Sequence, residues 1–113
     1  MRKISRLAAL AFRANKRFSL GNTTVAVEQW SHGQIVKMYL HGNKIAERDH
    51  KVDGISQVRV TLAGWETPTT RERVNGLLEM LGASESYYQR DHEQYLGDQM
   101  VDSCGWYTVK TRA

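Results

Sequence analysis

Little in this chain announces a chemistry. Its 113 residues include one cysteine, Cys104, so no internal disulfide can form and a reducing compartment is the simpler expectation. No apolar run approaches the roughly 20 residues that a membrane-spanning helix needs, so no membrane partner is expected. Neither GxxxxGK[ST] nor GxGxxG is present, which removes the common phosphate-cradling loops. The histidines, His32, His41, His50 and His92, never stand three or four residues apart, and no paired-cysteine spacing accompanies them. Neither a metal nor a cofactor is expected. Cys104 lies in Asp-Ser-Cys-Gly-Trp with no histidine in a recognisable catalytic context, and reads as a structural or incidental thiol. Asp91 and Glu93 read as solvated acids rather than an acid–base pair.

Acid is missing from one segment. Residues 1–27 carry Arg2, Lys3, Arg6, Arg13, Lys16 and Arg17 and neither Asp nor Glu. The chain's net charge is +4, so the remaining residues, which hold every acid, are slightly negative. The segment imitates a transit peptide, being amphipathic and Arg-rich, yet it runs into GNTTVAVE without a linker. A secretory signal fails because Arg13 interrupts the short apolar stretch.

What is present describes one ordinary domain spanning residues 1–113, with 41% hydrophobic and 25% charged residues. Residues 3–16 read as a helix. Ile4, Leu7, Ala8, Ala11 and Ala14 share one face, and Arg2, Arg6, Arg13 and Arg17 the other. Phe18 and Leu20 are expected to complete its packing. Strands follow over residues 23–28, 34–40 and 44–48, with turns at Gly21-Asn22, Ser31-His32-Gly33 and His41-Gly42-Asn43 and a polar turn over residues 49–54. Val58, Val60 and Leu62 then alternate with Gln57, Arg59 and Thr61, the period of a half-buried strand.

Thr69 and Glu72 have the spacing of a capping box. Val74, Leu77, Leu78 and Leu81 form one helical face, and Gly82 stands where a C′ glycine belongs. Residues 83–102 are acidic and carry Tyr87, Tyr88 and Tyr95. They read either as a short helix over residues 85–95 or as a long irregular excursion. Residues 99–101 and 105–110 read as a closing hairpin. The fold class is α+β: an antiparallel sheet of four to six strands, with the N-terminal helix and a second helix at about 70–81 packed on one face.

Trp65 and Trp106 each follow a glycine, and read first as packing residues and second as a binding platform. The arginine stripe fits nucleic-acid phosphates or an acidic protein groove, against the plainer reading of a solvated face. It also fits the acidic 85–102 segment of the same or another copy.

Four stretches carry a resemblance: Gly21-Asn22-Thr23, Leu40-His41-Gly42-Asn43-Lys44-Ile45-Ala46, Ala63-Gly64-Trp65-Glu66-Thr67 and Thr69-Thr70-Arg71-Glu72-Arg73-Val74-Asn75. Over about residues 4–81 the chain resembles a family of small tailed-phage accessory proteins, a domain of unknown function. Residues 83–102 look like an insertion or a divergent arm. The resemblance implies a phage origin, action in the host bacterial cytoplasm and no known catalysis, and it removes the transit-peptide reading. The expected function is non-enzymatic: binding and modulating a host macromolecule, as a host-takeover or anti-defence inhibitor. The alternative is a nucleic-acid-binding accessory protein using Arg2, Arg6, Arg13 and Arg17; a small enzyme ranks third. Trp65, Arg71 and Arg73 are the residues of the central stretch left to face a partner. A host protein, nucleic acid and a second copy of the chain are the candidate partners.

Overall fold

The strand at Val58 and the helix at Val74 form where their periods place them, and they join two sheets. A computed structural model describes residues 1–31, 33–49 and 56–112. Helix α1 (Lys3–Arg13) leads into β1 (Phe18–Leu20), β2 (Thr23–Trp30), β3 (Gly33–Leu40), β4 (Asn43–Asp49) and β5 (Gln57–Val60). Helix α2 (Pro68–Met80) follows, then β6 (Tyr87–Arg90), β7 (Glu93–Leu96), β8 (Gln99–Val101) and β9 (Tyr107–Lys110). An antiparallel six-stranded sheet runs β1-β2-β3-β4-β5-β9, and a three-stranded one runs β6-β7-β8. The class is α+β. The middle of the expected turn at 31–33, His32, and residues 50–54 of the expected polar turn, together with residue 55, lie outside the described residues.

Register gives the large sheet two unlike faces. Val25 pairs with Met38, Met38 with Ala46, Ala46 with Val60, and Val58 with Val109. All are buried in one core with Ala8, Ala9 and Phe12 of α1 and Val74, Leu77 and Leu78 of α2. A register shift at Met38/Tyr39 sets Ile45 and Ala46 together against Met38. Such a bulge turns two successive side chains the same way, and both are buried. The opposite face carries the ion pairs Lys37–Glu28 and Arg59–Glu47.

Several elements differ from expectation. Helix α1 stops at Arg13, because Asn15 takes φ 56°. Its amide donates to Phe12 O at 3.2 Å and that of Lys16 to Ala11 O at 2.8 Å, a Schellman ending for which Asn serves in place of Gly. The buried face of α1 is Ser5, Ala8, Ala9 and Phe12, rotated from the expected stripe. Ser5 is drawn inward by the Glu72 carboxylate and the Arg73 guanidinium. Phe18 and Leu20 lie on the edge strand β1; Phe18 packs against the core that α1 shares, as expected, whereas Leu20 is exposed.

Residues 83–102 form neither a helix nor an irregular excursion. Most of them form the three-stranded sheet, its hairpins turning at Asp91-His92 and Gly97 with positive φ. β8 pairs with β7, and β9 returns to β5, so the expected closing hairpin does not form. Helix α2 ends as read: Gly82 has φ 74°, and the Ala83 amide donates to Leu78 O at 2.9 Å. Its start differs. Thr67 is the N-cap, its hydroxyl accepting from the Thr70 amide, and Pro68 fills the first turn, a position where a missing N–H removes nothing.

Candidate functional site

Glu72, freed from capping its own helix, caps the other. Its carboxylate accepts from the Arg2 amide at 2.9 Å and from the Ser5 hydroxyl. This is what an N3 glutamate does within one helix, delivered here from α2 to α1, whose N-cap Arg2 has no side-chain cap. Burial alone raises the Glu72 carboxyl. The Ser5 hydroxyl, the Arg2 amide and the nearby Arg73 charge outweigh burial and hold the group below its ordinary value. At the far end of α1, Arg48 from β4 donates to Phe12 O and Arg13 O, each at 3.2 Å. A carboxylate at the N-terminus and a guanidinium at the C-terminus both suit the helix dipole.

The same stretch of α2 holds the small sheet. Asn75 Oδ1 accepts from the Tyr87 amide at 2.6 Å and its Nδ2 donates to Tyr87 O at 2.8 Å, so one side chain imitates a neighbouring strand. Arg71 Nη1 reaches Gln89 and Gln94 at 3.2 and 3.0 Å. Arg73 is 2% exposed and donates to Ser5, Glu72 and Asn22. Arg73 is therefore an interior clamp and not a contact residue, and Arg71 is half-buried against the small sheet. Only Trp65, 55% exposed, stands free of the three residues expected there.

Trp65 borders a cleft of about 480 Å³. Its apolar side comes from Leu40 and Ile45, which flank the β3–β4 turn. The rim comes from Asn22, His41 and Asn43, from Thr67, Thr69 and Thr70 at the start of α2, and from Arg2. Three loops distant in sequence thus meet at one place. The turn at His41-Gly42, with φ 51° and 80°, suits the right-handed twist of its strands. It is tied down by the His41 amide donating to Asn22 O at 2.8 Å. Asn22 is further fixed through Thr23 and Arg73. Among the described residues, no carboxylate and no thiol lines this cleft. Sequence reasoning singled out Trp65 and Arg2 but missed Asn43, Thr69 and the apolar wall. The signal was that the recognisable stretches are split over three loops, which the fold must unite.

Arg2, Arg6, Arg13 and Arg17 are all exposed, and among the described residues none joins an ion pair. Arg17 lies beyond the end of α1 and lines a shallow groove beside β1, so the stripe is Arg6 and Arg13, with Arg2 turned toward the cleft. Cys104 is exposed, and no cluster of three potential metal ligands occurs among the described residues.

A family model described as Kyanoviridae Gp96 protein matches residues 1–113. The chain belongs to this family of cyanophage proteins. The Kyanoviridae Gp96 match includes residues 83–102, so the small sheet belongs to the family's pattern. Its anchoring by Arg71 and Asn75 makes physical sense of that. No curated protein and no solved structure matches the chain. No described helix is long and apolar enough to cross a membrane.

Proposed function

We propose that this protein is a non-catalytic binding protein that grips a host macromolecule in the bacterial cytoplasm through the Trp65 cleft, modulating it during infection. One observation carries the reading: a cleft with an apolar side, an exposed tryptophan and a polar rim that includes Arg2, built from three loops by buried clamps. An exposed aromatic beside an apolar recess is the usual anchor of an interface. Among the described residues, the lining holds none of the carboxylates and thiols on which most hydrolytic chemistry rests. The host is expected to supply one partner that a tagged copy retains in stoichiometric amount after washing. Replacing Trp65 by Ala should weaken this retention by about 2 kcal/mol, roughly thirty-fold. Retention untouched by Trp65→Ala combined with Asn43→Ala would remove the cleft from the reading.

Nucleic acid is a second reading, favoured by the exposed arginines in and beside α1, none of which joins an ion pair among the described residues. If Arg2, Arg6, Arg13 and Arg17 each neutralise one phosphate, affinity for duplex DNA falls with salt at a logarithmic slope of about −3.6. Arg6→Glu with Arg13→Glu should then abolish a gel shift. Absence of any shift at low salt ends this alternative.

A further inference from the structure

The structure points to a second copy of this chain as the partner of the α1 face, and we propose that this face docks on the outer surface of the small sheet. That surface carries a cross-strand row of Tyr88, Tyr95 and Met100, set by the pairs Tyr88↔Tyr95 and Tyr95↔Met100. Tyr88 and Met100 are exposed, and the two tyrosine rings stack at 5.2 Å. The opposite side of the same strands holds Tyr87, Gln94, Leu96 and Val101, all buried against the body. So the apolar row faces away from the core.

The segment that forms this sheet is rich in acids. Residues 83–102 contain Glu85, Asp91, Glu93, Asp98 and Asp102 against Arg90 alone. Arg90 lies over the Tyr95 ring at 5.3 Å. None of the five acids makes an ion pair among the described residues. The α1 stripe is the reverse pattern. Arg6, Leu10 and Arg13 fall at i, i+4 and i+7 on one exposed side, a cationic stripe with an apolar centre. Arg6 and Arg13 are two turns apart, about 10 Å. Glu93 begins β7 and Asp98 follows its end, a separation of at least about 10 Å, the three residue steps of the four-residue strand. The reach of two arginine side chains covers the difference.

Leu10 can therefore sit on the Tyr95–Met100 row while Arg6 and Arg13 meet Glu93 and Asp98, which lie on either side of that row along β7. Nucleic acid would match the arginines but leave the acidic, apolar surface without a partner, whereas a second copy satisfies both. The two surfaces differ, so association is head-to-tail, or closed when a two-fold axis pairs each α1 with the opposite small sheet. This contact is independent of the Trp65 cleft.

The test is sedimentation of the whole protein, freed of nucleic acid by nuclease treatment. Mass above that of the monomer is expected at about 50 mM salt, with dissociation by about 0.5 M, where charges farther apart than a few ångströms are screened. Arg6→Glu/Arg13→Glu and Glu93→Arg/Asp98→Arg should each be monomeric at low salt with unchanged circular dichroism. Mixing the two variants should restore a heterodimer, since the swapped acids then meet the swapped bases. A wild-type monomer at low salt, or association that either double variant leaves intact, overturns the proposal. So does failure of the mixture to associate.

Discussion

Replacing Arg73 by alanine is expected to destabilise the fold by about 3 kcal/mol, measured by urea denaturation. Removing one member of a buried pair typically costs this much, because the remaining charge loses its partner. The Arg73 side chain fills a buried position between α1, α2 and the Asn22 turn, so its hydrocarbon stem is lost as well. Glu72 stays partly exposed, at 28%, and keeps its bonds to Arg2 and Ser5, which is why the loss falls at the low end of the range. Arg73→Met, which keeps the volume, should recover part of the packing but not the link to Asn22. A change under about 1 kcal/mol for Arg73→Ala would mean that the three elements hold together without this clamp.

The network also has a pH signature. The Glu72 carboxyl titrates below its ordinary value of 4.5 in the folded chain, so on acidification the unfolded chain takes up the proton first. Its contribution is therefore complete above about pH 4.5 and is lost as pH falls through the lower folded value. Glu47 acts with the same sign: burial alone raises it, but Lys44 and Arg59 outweigh this. Glu72→Gln should accordingly make the acid loss of stability shallower without removing it. Equal slopes for the two proteins between pH 5 and pH 3, about one unit either side of the ordinary carboxylate range, would show that Glu72 titrates alike in both states.

Elements with a local period were legible in the sequence. Val58, Val60 and Leu62 read as a strand because alternation is a property of neighbours. Val74, Leu77, Leu78 and Leu81 read as a buried face for the same reason, and all are fully buried. What remained hidden depends on residues far apart. Glu72 looked like the partner of Thr69 because three residues separate them. It turned instead to Arg2 and Ser5, about 70 positions away, while Pro68 and Thr67 began the helix earlier. Arg71 and Arg73 looked free to face a partner because their polarity is visible and their tertiary partners are not. The small sheet was illegible because its inward residues, Tyr87, Gln94, Leu96 and Val101, include a glutamine and never form a clean apolar alternation. The cleft was half legible: its residues belong to the recognisable stretches, but only the clamps at Asn22, Glu72 and Arg73 bring those stretches together.

Gly76→Leu should destabilise by about 3 kcal/mol, at the upper end of the usual range for overpacking, whereas Gly76→Ala should stay within about 1 kcal/mol of the parent. A Cβ at Gly76 would stand 3.2 Å from Ser5 Cβ and 3.3 Å from Met1 Sδ. Met1 is exposed and flexible enough to move aside. Ser5 is not, since its hydroxyl is held by both Glu72 and Arg73. For alanine this crowding offsets the gain of about 1 kcal/mol in helix propensity over glycine, leaving a small net effect. In a Ser5→Gly background the obstructing Cβ is gone, so Gly76→Ala should there become stabilising, a coupling that a double-mutant cycle reads directly. Absence of coupling would place the helix contact elsewhere. The consequence reaches the cleft. Arg2 and Thr69 line it from the first turns of the two helices that Gly76 lets approach, about 10 Å further along α2. Gly76→Leu should therefore weaken retention of a host partner even under conditions where the variant remains folded, although Gly76 does not line the cleft. Retention equal to the parent's in folded Gly76→Leu protein would separate the helix contact from binding.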